Sequence, residues 1–282
     1  MPDPALAEAD VAFGQPDAAG AMASPRLRWI QVPSAGYATY DNDAFWSALR
    51  RRGALFTNSS AVFAEPCAEH ALAFILAQAR QLPQSFAGRL EDTVWPSARR
   101  RAECRLLLGQ RAVFLGFGAI GRRLAQLLSP FEMEIAVVRR HVRGDEQGVK
   151  AITAEHLDEA LAGAGHVVNL LPESAGTRHF FNASRFAAMR RGAVFYNIGR
   201  GVTVDQGALL EALRSGRIAA AYLDVTEPEP LPPEHPLWSA PNCFFTPHTA
   251  GGHHDEAERL VRHFLANLER FMNGRELEDR VV

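Results

Sequence analysis

The sequence predicts an α/β protein of two domains, the larger of which is a doubly wound parallel sheet. Its 282 residues exceed what one hydrophobic core usually organises. From Gln110 to His248, short apolar runs alternate with helical patterns, as in successive βαβ units. A glycine-rich segment separates the first of these runs from the first helix. One large α/β domain is the alternative.

The composition narrows the classes of partner. Charged residues make up 22% of the chain and the net charge is −2, which gives no general attraction to nucleic acid or to an anionic membrane. The three cysteines are far apart and form no C-x-x-C pair, and no secretory signal pattern opens the chain. The adjacent His253 and His254 have no further ligand at helical spacing. We therefore expect a cytoplasmic protein without a metal site.

Six strands are expected in the larger domain, each an apolar run of four or five residues. They are Ala112–Leu115, Ile135–Val138, His166–Leu170, Ala193–Asn197, Ala220–Asp224 and Cys243–Thr246. Helices are expected to open at Gly121, to run from Thr153 to Ala162, and to run from Asp205 to Gly216.

The remaining segments predict a smaller α/β domain. Its expected elements are strands at Val11–Phe13, Arg28–Val32 and Ala54–Thr57, helices at Asp43–Arg52 and Pro66–Leu82, and a C-terminal amphipathic helix at Asp255–Met272. The C-terminal helix carries one apolar stripe, formed by Leu260, Phe264, Leu268 and Phe271. The expected domains are residues 1–83 with 253–282, and residues 84–252.

The glycine-rich segment is a G-x-G-x-x-G motif made by Gly116, Gly118 and Gly121. In this position, after a strand and before a helix, the motif is typical of dinucleotide-binding Rossmann domains. The first glycine permits a tight turn, the second lets the backbone approach a pyrophosphate, and the third lets the helix pack closely. The amides of Ala119 and Ile120 would face the phosphates. A plain tight turn is the alternative.

The residues that follow the second strand indicate which dinucleotide binds. An acidic residue that holds the adenosine ribose usually stands there, about 20 residues after the glycines. This chain has Arg139 and Arg140 instead. Because guanidinium groups bind a 2′-phosphate that a carboxylate would repel, the sequence favours NADP(H), with NAD(H) possible. The alternative is a solvated basic turn.

Several later segments resemble the signatures of the D-isomer-specific 2-hydroxyacid dehydrogenase family. They are Asn197-Ile-Gly-Arg-Gly-Val-Thr-Val-Asp205, Leu223-Asp-Val-Thr-Glu-Pro-Glu-Pro-Leu-Pro232, His235-Pro-Leu-Trp238 and Thr246-Pro-His-Thr-Ala-Gly251. Earlier segments, Ser34-Ala-Gly36 and Ala68-Glu-His-Ala-Leu-Ala73, resemble blocks of its substrate domain. The arginines after the second strand resemble the glyoxylate/hydroxypyruvate reductase branch. The resemblance implies a flavodoxin-like substrate domain, a small 2-keto acid as substrate and a homodimer.

The resemblance also implies that Arg200, Glu229 and His248 are the catalytic residues. The chemistry requires these residue types. Arg200 would anchor the substrate carboxylate and polarise the carbonyl, and His248 would give the carbonyl oxygen its proton. Glu229 would orient His248 and favour its protonated form. Taken singly, each residue could be structural, but all three follow β-type runs, where open α/β sheets bind ligands.

Other residues are expected to complete the binding sites. Ser34, Ala35 and Gly36 would present amides to the substrate carboxylate, although a simple turn would have the same sequence. The cofactor would also contact Leu171, Pro172, Thr177, Ile198, Arg200, Asp224 and His248, with Asp224 accepting from the nicotinamide carboxamide. His70 is interpreted as a core or hinge histidine.

The chain departs from the family pattern at three places. Family members usually begin with another strand and helix before Leu6–Gly14, so we expect a substrate domain shortened by about 30 residues, with an exposed sheet edge. Glu132 stands where glycine is typical, and Thr226 where an aromatic residue is typical.

Two functions are compatible with these patterns. The first is an NADPH-dependent reductase of small 2-keto acids. The second is a non-catalytic dinucleotide-binding sensor or corepressor, because the same fold supports both. The complete set of Arg200, Glu229 and His248 favours the enzyme.

Overall fold

A computed structural model describes residues 4–87, 97–139 and 148–282. The chain divides into two compact units, Met1–Glu65 with Gly251–Val282, and Pro66–Ala250. The sequence placed the first boundary at residue 83, whereas the units divide 18 residues earlier, inside a long helix. The helix groups with the larger unit because its side chains pack there: Phe74 contacts Tyr222, and Gln78 accepts a hydrogen bond from the Tyr222 hydroxyl.

The smaller unit is built on a three-stranded parallel sheet of order β1-β2-β3. The strands are β1 (Val11–Phe13), β2 (Trp29–Gln31) and β3 (Leu55–Thr57). The helices of this unit are α1 (Ala18–Ala23), α2 (Asp43–Arg52), the start of α3 (Ser60–Ala79) and the C-terminal α10 (Glu256–Met272). The three strands and α2 confirm the predicted elements, and α1 was not predicted.

Helices cover both faces of this small sheet. On one face, Ile30 and Phe56 pack with Phe45 and Leu49 of α2. On the other, Phe264 of α10 stacks on Trp29 with ring centroids 5.3 Å apart. This is the arrangement that an all-parallel sheet needs, because both of its faces are apolar.

The outer edge of β3 is covered by the C-terminus of the chain. Phe56 donates its amide to Val282 O and accepts from Val281 N. Thr57 forms an antiparallel bridge with Arg280. The last residues of the chain therefore protect the β3 edge of the described sheet, whereas β1, at the other edge, pairs with β2 only. The sequence carried no pattern that predicted the pairing of the last residues with β3.

The larger unit contains seven parallel strands in the order β10-β9-β8-β7-β4-β5-β6. They are β4 (Arg111–Leu115), β5 (Glu134–Val138), β6 (Lys150–Ile152), β7 (His166–Asn169), β8 (Val194–Asn197), β9 (Ala220–Leu223) and β10 (Cys243–Phe245). The chain begins in the middle of the sheet, and the direction of winding reverses between β4 and β7. This is the doubly wound order of dinucleotide-binding domains, as predicted.

Helices α4 (Leu82–Ala87) and α5 (Ser97–Glu103) precede β4. Helices α6 (Ala119–Leu128), α7 (Leu157–Gly163), α8 (Ala183–Ala188) and α9 (Gln206–Arg214) connect strands of the sheet. The sequence missed β6, α4, α5 and α8, because each is too short to show a clear hydrophobic period.

One local expectation needs correction. Helix α3 begins at Ser60 and contains Pro66, whereas the sequence started the helix at that proline. Inside a helix a proline removes one backbone hydrogen bond and crowds the carbonyl of residue i−4, but here the residues before Pro66 are helical nonetheless. Glu132, where the family has glycine, adopts φ +52°, a left-handed conformation that glycine takes without steric cost.

Helix α3 is long and apolar enough to cross a membrane by length and composition. Its Ala68, Ala71 and Ile75 are fully buried, as in the core helix of a globular protein, which passes the same test. Length and composition therefore do not distinguish a membrane-spanning helix from a buried core helix at α3.

Candidate active site

The three glycines of the G-x-G-x-x-G motif occupy distinct environments. Gly116 has φ +97°, which a residue with a side chain rarely adopts. A Cβ at Gly121 would lie 3.1 Å from Gly116 O, so the helix packs tightly against the turn. A Cβ at Gly118 would meet no protein atom within 4 Å. The space at Gly118 is therefore open to a ligand.

Helix α6 begins at Ala119, two residues before the predicted start. Gly118 is the N-cap residue, and its carbonyl oxygen accepts a hydrogen bond from Arg122 N at 3.0 Å. The first amides of the helix have no intrahelical acceptor, and those of Ala119 and Ile120 lie next to the open space at Gly118. A helix N-terminus of this kind suits the anionic pyrophosphate of a dinucleotide.

Arg139 directly follows β5, the strand that pairs with β4. The register aligns Val138 with Leu115, which is the residue before the glycine turn. Arg139 donates its amide to Ile152 O, so its backbone is held by β6. The arginine thus lies at the sheet edge where the glycine turn also lies. Arg140 is outside the described residues.

The loop after β7 is tied together by Thr177, whose side chain is buried. The Thr177 hydroxyl is 2.7 Å from Pro172 O, and it accepts the Ser174 amide at 2.8 Å. Leu171 N bonds to the side chain of Asn169, at the end of the strand. These bonds give Thr177 a role in shaping the loop. Cofactor contacts of Leu171, Pro172 and Thr177 stay predictions.

Arg200 lies in the loop after β8, which contacts the loop after β9. Ile198 is buried, and the Arg200 guanidinium donates to Gly199 O at 2.7 Å. A Cβ on Gly201 would lie only 1.8 Å from Thr226 O, so only glycine fits there. The close approach fixes the position of Arg200 relative to the β9 loop.

Glu229 and His248 form a hydrogen-bonded pair. The distance from His248 Nδ1 to Glu229 Oε2 is 2.6 Å, and Glu229 Oε1 accepts the Thr226 amide at 3.0 Å. The carboxylate is thereby held at both oxygens. Because Nδ1 donates to the carboxylate, Nε2 is the nitrogen that can exchange a proton with a substrate. The imidazole is about half exposed, and the carboxylate slightly less.

Asp224, at the end of β9, organises the loop that carries His248. The carboxylate is buried, and Oδ1 accepts hydrogen bonds from Thr246 Oγ1 at 2.6 Å, Thr249 N at 2.8 Å and Ala250 N at 3.1 Å. His248 itself has φ +52°, a strained conformation for a residue with a side chain. The predicted contact of Asp224 with a nicotinamide is untested. Its structural role, and that of Thr246, were not foreseen, although both residues lie in recognised motifs.

The buried thiol of Cys67 experiences the charges of both Asp224 and Arg200. Burial and, to a smaller extent, the charge of Asp224 raise the pKa of Cys67 to about 12, and the charge of Arg200 opposes the rise. Both charges therefore act on one buried point of α3. A thiol with this pKa stays protonated at neutral pH and is a poor nucleophile.

The predicted substrate loop follows β2 in the smaller unit. Ser34 O accepts from Ser59 N, Ala35 O accepts from Asn58 Nδ2, and Gly36 O accepts from Ser34 Oγ. These bonds hold the turn through its carbonyl oxygens. The role of its amides in substrate binding stays a prediction.

Comparisons with known proteins identify the family. The family model of the D-isomer specific 2-hydroxyacid dehydrogenase NAD binding domain matches residues 72–250. Glyoxylate/hydroxypyruvate reductase B of Citrobacter koseri is 34% identical over 254 residues, which cover 89% of this chain and 76% of the relative. The chain belongs to the D-isomer specific 2-hydroxyacid dehydrogenase family.

Two solved structures are similar over almost the whole chain. A family member from Xanthobacter autotrophicus in complex with NADPH and MES is 29% identical, with a TM-score of 0.81 over 98% of this chain and 85% of that one. The NADPH-dependent glyoxylate/hydroxypyruvate reductase of Sinorhizobium meliloti, in complex with NADP and sulfate, is 26% identical, with a TM-score of 0.79 over 99% and 88%.

These findings confirm the predicted family and fold class. They also confirm the prediction of an oxidoreductase that acts on 2-hydroxy or 2-keto acids, and they do not favour the sensor alternative. They do not test the roles of individual residues.

The contact between Gly201 and Thr226 gives a direct test of the site. In Gly201→Ala, the added Cβ would overlap Thr226 O, so the loop after β9 must move and carry Glu229 with it. We expect kcat to fall at least about 10-fold, because small displacements of catalytic groups have large effects on rate. Steady-state kinetics would measure this. Gly163→Ala, at the end of α7, is the control, since a Cβ there meets only the Arg111 side chain, at 3.4 Å; equal activities of the two variants would contradict the assignment.

Proposed function

We propose that this protein is an NADP(H)-dependent reductase of small 2-keto acids such as glyoxylate and hydroxypyruvate. The observation that carries the proposal is the hydrogen-bonded pair of His248 and Glu229, which lies at the carboxyl edge of a dinucleotide-type sheet. The relatives named above, and the NADPH and NADP in the two similar structures, support the same activity.

His248 would act as the proton donor during reduction. Its Nδ1 proton is donated to Glu229, so the proton that reaches the substrate carbonyl oxygen comes from Nε2. Glu229 would orient the imidazole through this hydrogen bond. In the reverse reaction, neutral Nε2 accepts the hydroxyl proton of the 2-hydroxy acid.

Arg200 would bind the substrate carboxylate. Its guanidinium keeps a positive charge at all working pH values and can donate two parallel hydrogen bonds to a carboxylate. The same charge polarises the adjacent carbonyl group, which makes its carbon more electrophilic. We propose that amides of Ser34, Ala35 and Gly36 add further donors to the carboxylate.

The cofactor would be held along the carboxyl ends of β4, β5, β7 and β8. The amides of Ala119 and Ile120 and the open space at Gly118 fit a pyrophosphate. When bound, the nicotinamide supplies a hydride to the carbonyl carbon. The rest of the proposed contact set consists of Gly116, Gly121, Arg139, Arg140, Leu171, Pro172, Thr177, Ile198, Arg200, Asp224 and His248.

The role of His248 can be tested by kinetics. We expect the wild-type protein to oxidise NADPH in the presence of glyoxylate or hydroxypyruvate. His248→Asn should lower kcat by about 10²- to 10⁴-fold, the usual contribution of a general acid. His156→Asn is the control, because His156 is an exposed histidine of the same unit. Tight NADPH binding by a wild-type protein that turns over none of several 2-keto acids would refute the enzyme.

The preference for NADP(H) has its own test. Replacing Arg139 by alanine removes a cation from the sheet edge beside the glycine turn, and Arg139→Ala with Arg140→Ala removes both predicted arginines. We expect KM for NADPH to rise about 10-fold or more, with little change in KM for NADH, since only NADPH carries the 2′-phosphate. Equal changes in the two KM values would contradict the phosphate-binding role.

We further propose that the protein is a homodimer in the cytoplasm. Phe86, Leu106 and Leu108 are 70%, 69% and 61% exposed, and a partner surface would remove them from water. All three cysteines are free thiols, which agrees with a reducing compartment that cell fractionation would check.

Sedimentation equilibrium would test the dimer. The wild-type protein should have twice the mass of one chain, and Leu106→Glu with Leu108→Glu should shift it to monomer, because the charges oppose burial. Val261→Glu, which changes an exposed residue of α10, is the control. A wild-type monomer at micromolar concentration would contradict the proposal.

A further inference from the structure

His70 of α3 is linked to the loop that carries His248. Its Nε2 atom lies 3.0 Å from Thr246 Oγ1, and its ring packs edge-on against Phe74 with centroids 4.5 Å apart. The side chain is 21% exposed. The sequence predicted only a core or hinge role for His70. The contact with Thr246 points to a more specific one.

The hydrogen bonds around Thr246 determine where His70 carries its proton. Asp224 Oδ1 accepts the amides of Thr249 and Ala250, so this oxygen is an acceptor. Thr246 Oγ1 lies 2.6 Å from the same oxygen and must donate its single proton to it. The hydroxyl can then only accept from His70, whose Nε2 must carry a proton.

The charge state of His70 follows from its surroundings. Burial lowers the pKa of His70, and the opposing effect of Asp224 is the smaller of the two. The imidazole is thus neutral at neutral pH, with its proton on Nε2. It acts as a fixed donor and not as a second charge beside the site.

The chain of hydrogen bonds that starts at His70 reaches the backbone on both sides of His248, the residue with the strained conformation. Thr246 precedes His248 by two residues, and the Asp224 carboxylate bonds the two amides that follow it. The backbone of Asp224 also accepts the His248 amide at 2.9 Å. A left-handed residue with a side chain persists only where its surroundings hold it in place.

We propose that His70 is a positioning residue for His248. His70 acts as a neutral Nε2–H donor, and its effect reaches His248 through Thr246 and Asp224. The inference rests on the proposed function, in which His248 moves the proton. The rival role is direct proton exchange by His70. Glutamine can replace His70 in the positioning role but not in proton exchange. A glutamine amide donates a hydrogen bond at similar reach, but it does not titrate.

The first experiment measures the tautomer and needs no turnover. In protein labelled with ¹⁵N-histidine, the His70 signals are assigned by their loss in His70→Gln. We expect a neutral ring with the proton on Nε2 at neutral pH. A proton on Nδ1 alone, or on both nitrogens, would overturn the proposal, whatever the outcome of the activity assays.

The second experiment separates positioning from stability. His70→Leu removes the donor, and we expect kcat to fall about 10-fold, because a mispositioned catalytic group reduces the rate. The dissociation constant of NADPH should change much less than kcat, since most of the proposed cofactor contacts, the glycine turn among them, lie outside this network. His70→Gln should restore kcat to within about three-fold of the wild type.

Two comparisons complete the design. Thr246→Val should lower kcat as His70→Leu does, and the double variant should be no worse than either single variant, because both break one chain of hydrogen bonds. His156→Leu is the matched control: His156 also bonds a threonine, Thr153, at 3.1 Å, but on the exposed surface. It should leave kcat unchanged.

Three results would overturn the proposal. They are wild-type kcat in His70→Leu, equal losses in His70→Leu and His70→Gln, and a parallel loss of NADPH affinity and melting temperature in His70→Leu. The second would indicate that the ring itself titrates, and the third that its role is only structural. A wild-type protein without reductase activity would instead refute the proposed function, while the tautomer measurement would still test the hydrogen-bond direction.

Discussion

The seven strands of the larger sheet are all parallel, and the site depends on this constraint. Parallel strands end at one edge, so the loops that follow β4, β7, β8 and β9 meet there although they are far apart in the sequence. The glycine turn, Arg200 and Glu229 come from three of these loops. The contact of Gly201 with Thr226 O shows how closely two of the loops approach.

Two carboxylates at this edge have different tasks. Asp224 is buried and accepts hydrogen bonds from Thr246, Thr249 and Ala250, so it determines the conformation of the loop. Glu229 is partly exposed and bonds the His248 ring. A buried carboxylate must have its partners within the protein, whereas an exposed one can share its charge with a proton-transferring group. The difference in burial thus separates the structural carboxylate of Asp224 from the carboxylate of Glu229, which takes part in the proposed proton transfer.

Much of the fold could be predicted from the sequence, because its long elements carry clear hydrophobic periods. The helix Asp43–Arg52 was predicted to the residue, and the stripe of α10 packs on Trp29 through Phe264 and Phe271. Short elements such as β6 were missed, since three residues show no period. The start of α3 was misplaced because Pro66 is usually a first-turn residue.

By itself, the sequence determined the family, the doubly wound sheet and the residue types of the site, because motifs and periodicity are local properties. Only the tertiary structure decided which groups hydrogen-bond to one another. It paired Glu229 with His248, turned Asp224 toward the loop amides, and placed the His70 ring beside Thr246. These partners are separated by 19 to 176 residues, so no local pattern encodes their distances; they follow from how the strands and helices pack.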